Sequence, residues 1–231
     1  MTVAKARIIG VVYLAYFLTA VGGALIAPGT GPGGPPTDAA ANANNIVTHQ
    51  TAYELGVAVG VISTVIYVAL TALFYVLLRP VNRTIALVMA FINLVAMSVV
   101  ALGSVLSLAP IVVLGGDAYL KVFDARQLDA LALLFMNIGV ESGRVALGFS
   151  AFFQLAWGYL IFRSTFLPRA IGVLIAIAGF GWLTYLLPAQ PAFLVTATEV
   201  VGFAAEAALM LWLLVKGVNA ARWNELNRLA A

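Results

Sequence analysis

The chain has 231 residues, 63% hydrophobic and only 9% charged, whereas soluble domains carry about 25% charged residues. That composition excludes an ordinary soluble domain and makes lipid the natural solvent. The formal charge of +3 comes from basic residues at helix ends rather than in a patch, which argues for membrane orientation and against nucleic acid as a partner. The absence of cysteine and the single histidine, His49, remove disulfides, thiol catalysis, thiolate metal ligation and multi-histidine metal centres.

Six segments reach the ~20 apolar residues that a bilayer requires: roughly 8–27, 53–78, 85–108, 128–162, 170–187 and 193–215. They predict an all-α, polytopic membrane bundle of six transmembrane helices forming a single domain over 1–231. The first segment has a basic start at Lys5 and Arg7. Its apolar run exceeds the ~7–15 residues of a signal peptide, and no small-x-small cleavage site follows, so it reads as a retained helix. The loop 28–52 begins with an irregular Gly- and Pro-rich stretch, after which Asp38 is placed to cap a short helix through Asn45.

Arg79-Pro80-Val81-Asn82-Arg83 and Arg163-Ser164-Thr165-Phe166-Leu167-Pro168-Arg169 read as short turns in which proline stops one helix or starts the next. Asp124-Ala125-Arg126-Gln127 has the form of a capping box that starts the fourth span. With the N-terminus in the cytoplasm, Lys5, Arg7, Arg79, Arg83, Arg163, Arg169, Lys216, Arg222 and Arg228 lie inside, and only Lys121 and Arg126 lie outside. The positive-inside rule therefore puts both termini in the cytoplasm.

Five stretches occur in order: Ala6–Gly10, Tyr75–Thr84 with its Leu-Leu-Arg-Pro-Val-Asn-Arg turn, Gly158–Ser164, Phe166–Arg169 and Trp212–Val218. Together they resemble a bacterial family of six-span integral membrane proteins, the domain-of-unknown-function family numbered four-three-eight-six. The resemblance covers most of the chain and implies a multi-pass protein of the bacterial cytoplasmic (inner) membrane. It implies no activity. The histidines it suggests in the fourth span are replaced here by Gln154, so no metal site carries over.

Counting a 1.5 Å rise per residue from each basic anchor sorts the intramembrane polar residues into two layers. Near the midplane fall Glu206 (~15 Å from Lys216), Asn93 (~15 Å from Arg83), Gln154 (~14 Å from Arg163) and Tyr16 (~14 Å from Arg7), with Tyr67 at ~18 Å from Arg79. A lone ionised carboxylate at that depth is costly, so Glu206 is expected to be protonated or paired. The plain alternative is polar glue between helices, at about 0.6–2 kcal/mol per contact.

The second layer holds Glu141, Arg144 and Glu199. Arg144 at ~28 Å and Glu199 at ~26 Å match in depth and are expected to form an ion pair. With Glu54 and Asp129 at the mouth, these residues outline an acidic vestibule leading toward Glu206, or else a structural clamp between the fourth and sixth spans. The fourth span is also too long for a ~30 Å hydrocarbon core. Either it protrudes, or it breaks around 137–143, where Gly139 and Gly143 stand one turn apart.

An oxygen-rich metal site from His49, Glu54, Asp129 and Glu141 is the weaker possibility, and the reading assigns neither catalytic residues nor metal ligands. The function expected first is binding or transport of a small molecule, ion or lipid at an outward-facing site made by Glu141, Arg144, Glu199, Glu206, Asn93, Gln154 and Tyr16. Second comes an accessory or assembly subunit of a larger membrane complex. Third is an enzyme with a carboxylate acid or base. The sequence names no cofactor; the partners it implies are membrane lipids and, in the second reading, other membrane protein subunits.

Overall fold

The computed structural model describes residues 1–26, 37–187 and 191–229. Its helices are α1 (Val3–Ile26), α2 (Ala39–Thr48), α3 (Gln50–Leu78), α4 (Arg83–Leu114), α5 (Ala125–Arg163), α6 (Arg169–Trp182), α7 (Ala192–Val215) and α8 (Ala220–Leu229), with single-turn 3₁₀ segments at Ala118–Val122 and Leu183–Leu186. Six of them, with α6 taken through Leu186, are long and apolar enough to cross a membrane. They coincide with the six expected spans. Large apolar side chains stand open along them, including Leu18 at 65%, Leu25 at 77% and Phe180 at 65% exposure. Such faces are stable against acyl chains and not against water. This is an all-α, multi-pass membrane protein.

The helix ends follow local chemistry. Asp38 caps α2 by accepting from the Ala41 amide at 2.9 Å. Asn82 caps α4 through the Ile85 amide at 2.9 Å, and Asn219 caps α8 through the Arg222 amide at 3.2 Å. The expected capping box is complete: the Gln127 amide donates to the Asp124 carboxylate, and the Asp124 amide donates to Gln127 Oε1, each at 2.9 Å. Gly217, with φ +70, ends α7 in the left-handed conformation that favours glycine. The glycine- and proline-rich stretch expected to be irregular lies almost wholly outside the described residues.

Two expectations about length are resolved. Helix α4 runs to Leu114, past Pro110, although a proline inside a helix removes one backbone hydrogen bond and crowds the carbonyl four residues before it. Helix α5 is one unbroken helix of 39 residues, or ~58 Å at 1.5 Å per residue. It therefore does not break at 137–143 and exceeds a ~30 Å hydrocarbon core.

The chain divides into two compact units. The first comprises residues 1–16, 66–97 and 145–231, and backbone contact through glycine holds it together. A Cβ on Gly10 would lie 2.6 Å from the Leu214 amide nitrogen, so α1 and α7 nearly touch. Gly158 of α5 and Gly172 of α6 make a reciprocal approach of the same kind. In lipid, where apolar side chains gain little by leaving solvent, such close packing is a principal source of helix association.

Helix α8 folds onto this unit. The Trp223 Nε1–H donates to the Leu77 carbonyl at 2.7 Å in a buried contact. Leu77 is in the last turn of α3, where carbonyls lack an intrahelical donor, so the indole satisfies an orphaned acceptor. Trp223→Phe is expected to keep the packing and lose about 1–3 kcal/mol by stranding that carbonyl. The melting temperature of the purified protein checks this; an unchanged value would contradict it.

The second unit comprises residues 17–65 and 98–144. Its apolar centre is Ile46, Tyr53, Val57 and Met136, with Ile111 and Leu114 against it, and Tyr53 OH donates to the Ser107 carbonyl at 2.7 Å. Gly23 meets the backbone of Gly56 and Gly60, and Gly103 of α4 packs on Gly139 and Ser142 of α5. Gly143 has nothing near the place of its missing side chain. Of the glycine pair in α5, then, only Gly139 serves close packing.

Candidate functional site

Glu206 sits at the centre of the first unit. It belongs to α7 and is partly buried; both of its oxygens point at neighbouring helices. Tyr13 of α1 donates its phenolic O–H to Oε2 at 2.7 Å. Gln154 of α5 donates Nε2–H to Oε1 at 2.9 Å. Tyr13 is fully buried and Gln154 is 3% exposed. Three helices thus meet at one carboxylate through two neutral donors. Among the described residues, no Lys, Arg or His lies within salt-bridge distance of Glu206.

An aromatic cluster adjoins this carboxylate through Tyr13. Tyr13 lies against Phe74 at 5.5 Å between centroids and against Trp157 at 6.3 Å, and Phe74 meets Trp157 at 4.6 Å. The chain of contacts continues from Trp157 to Phe153 at 5.1 Å, to Tyr67 at 6.4 Å and to Tyr16 at 4.4 Å. Tyr16 also lies against Tyr13, at 6.2 Å between centroids. Among the described residues, two polar atoms in this cluster have no hydrogen-bond partner: Gln154 Oε1 and Trp157 Nε1. A buried polar atom without a partner is uncommon in native structures and calls for an explanation, such as a functional role or a bridging water or ion.

Residues 8–217 match the family described as Domain of unknown function (DUF4386). The chain belongs to that family. Comparison with curated proteins and with solved structures gives no match. In this DUF4386 chain the glutamine in the fourth span is thus a direct ligand of the α7 carboxylate.

Of the residues expected at the midplane, Glu206, Gln154 and Tyr16 come together in one cluster. Tyr67, also placed at that depth, joins them. Asn93 does not share their contact: it is fully buried and donates Nδ2–H to Thr71 Oγ1, which in turn donates to the Tyr67 carbonyl at 2.8 Å. Tyr13, absent from the sequence-based site, is its strongest donor. The signal was available, because Tyr13 and Tyr16 are three apart and share a helix face.

The outer set has a local character. Arg144 takes the carboxylate of Glu141, three residues earlier on α5, at 3.0 Å, with both side chains substantially exposed. Glu199 accepts from Tyr185 OH at 3.0 Å. Where depth pointed Arg144 toward Glu199, each charged group is therefore engaged within its own unit. Glu54 is exposed and accepts from Gln50 Nε2 at 2.8 Å, and His49 Nδ1 lies 3.2 Å from the Asn45 carbonyl.

A separate cavity of about 230 Å³ in the second unit is lined mainly by small residues, among them Gly23, Gly60, Gly103, Ser104, Ser107 and Ser142. Its three serine hydroxyls donate to carbonyls of their own helices.

Proposed function

We propose that this protein of the bacterial inner membrane, with both termini in the cytoplasm, binds or transports a small molecule, ion or lipid at an intramembrane site centred on Glu206. The observation that carries this reading is the Glu206 carboxylate held, among the described residues, by Tyr13 and Gln154, two neutral donors from two other helices. Ionisable residues within membrane spans are rare and costly, and by default they mark ion, proton or substrate sites. Both oxygens keep acceptor capacity beyond their single hydrogen bonds.

The charge distribution supports the orientation. Nine of the twelve basic residues belong to the first unit, and six of the nine acidic residues belong to the second. Basic residues gathered on one set of helix ends are what the positive-inside rule selects. The glycine- and serine-lined cavity of the second unit favours the other reading, an accessory subunit whose small-residue face receives another membrane helix.

Thermal denaturation in detergent tests the binding reading against a panel of alkali cations, organic ammonium ions, carboxylates and lipids at several pH values. Ligand at a hundred times its dissociation constant stabilises the folded state by about 2.7 kcal/mol. One class, or one pH range, is expected to raise the wild-type melting temperature and leave Glu206→Gln unmoved. A panel that shifts both proteins equally, or neither, would overturn the reading.

A further inference from the structure

We infer that the species Glu206 exchanges is a proton, and that the Gln154 amide turns over to follow it. This rests on the binding reading above and narrows it. Three observations separate a proton from the other small ligands a carboxylate takes.

The first concerns the groups aimed at Glu206. Tyr13 O–H and Gln154 N–H point hydrogen at its two oxygens, an arrangement that repels a metal cation. Calcium, for comparison, needs about 6–8 oxygen ligands. The second concerns space. The six aromatic rings close on one another at centroid distances of 4.4–6.4 Å, which is the range of rings in mutual contact. A cage for an organic ammonium has its faces splayed around an opening. These rings are packed on one another, and a proton is the ligand that needs no opening among them.

The third observation is the orphaned Gln154 Oε1. With Glu206 ionised, the amide offers its NH₂ to the carboxylate and its oxygen has no donor. When a hydronium ion delivers a proton and departs as water, an O–H bond forms at Glu206 Oε1. The new hydroxyl then faces the Nε2–H of Gln154, donor against donor. Half a turn of the amide exchanges its two ends, and the Glu206 O–H donates to Gln154 Oε1. No backbone moves. The amide thus carries one complementary face for each protonation state, while Tyr13 keeps its hydrogen bond to the other oxygen.

Among the described residues, no basic side chain stands within salt-bridge distance of Glu206 to compete for the proton. The titratable groups facing Glu206 are the phenols of Tyr13 and Tyr16 on α1 and of Tyr67 on α3. Helix α5 contributes the neutral Gln154. Helix α6, which packs on α7, has no ionisable residue after Arg169 at its start. On α7 itself, Glu199 is engaged by Tyr185.

The test uses the full chain in lipid nanodiscs and a hydrophobic carbodiimide, which forms adducts with protonated carboxyl groups. Adduct at Glu206 is read by peptide mass spectrometry. Labelling is expected to fall as pH rises, and to be unaffected by sodium or tetramethylammonium at fixed pH. In parallel, the infrared difference spectrum between acid and alkaline pH is expected to contain an amide carbonyl band that vanishes in both Gln154→Leu and Glu206→Gln.

Protection by sodium or tetramethylammonium at fixed pH would overturn the proton assignment and leave the binding reading standing. Labelling that responds to neither pH nor any solute would overturn both. A pH-dependent adduct without the amide band would overturn the turning of Gln154. The labelling arm needs no variant, so a poorly folding substitution cannot obscure the outcome.

Discussion

Gly158→Leu is expected to leave little folded protein. A Cβ at Gly158 would stand 2.7 Å from the Ala176 amide nitrogen and 2.7 Å from the Gly172 carbonyl oxygen; at Gly172 it would stand 2.6 Å from the Phe162 amide nitrogen. These obstacles are backbone atoms of the facing helix, and a rotamer change does not clear them. Helices α5 and α6 must separate, and with them the run of α5 that carries Phe153, Gln154 and Trp157.

Overpacking a rigid core costs about 1–3 kcal/mol even where side chains can yield, against a total stability of ~5–15 kcal/mol. Gly60 and Gly143 supply the control, because the place of a side chain at either is open. Gly143→Ala is expected to behave as wild type. Size-exclusion profile and melting temperature read both. A Gly158→Leu protein that remains monodisperse and melts like wild type would refute the close approach of α5 and α6.

The membrane spans were legible because length and apolarity alone define them. Each of the six segments became a helix, and the Asp38 cap and the Asp124–Gln127 capping box formed where their residue types demanded. The site was legible in one coordinate only. Counting residues from a basic anchor gives depth, and depth put Gln154 level with Glu206, to which it donates. It gives no rotation about the helix axis, so Asn93 at the same depth turned instead to Thr71.

Side-chain length blurred the rest. The Tyr13 backbone lies about a turn away from the Glu206 layer in that count, yet a phenol reaches several ångströms along the helix, and its hydroxyl arrives at the carboxylate. Arg144 shows the same effect. Its long side chain spans one turn to Glu141, a partner that matching Cα depths could not favour. The unbroken course of α5 was undecided for another reason: Gly139 permits either a bend or a close neighbour, and only the facing Gly103 shows that it serves packing.

Loss of the Glu206 carboxyl is expected to abolish function while sparing the fold. In Glu206→Gln the side chain keeps its shape and still accepts from Tyr13, and Gln154 can offer its oxygen to the new amide. No hydrogen bond need be stranded, so stability should change by no more than the ~1 kcal/mol at which point substitutions as a whole are centred. What disappears is the one ionisable group held by Tyr13 and Gln154. A phenotype confined to function therefore separates a working site from polar glue, for which this conservative exchange would be nearly silent.

The direct measurement is charge displacement by proteoliposomes adsorbed on a solid-supported membrane, recorded on a rapid pH step and with equal amounts of folded wild-type and Glu206→Gln protein. A transient current in the wild type that is absent from Glu206→Gln is the expected result. Matching records from the two proteins would contradict proton exchange at Glu206.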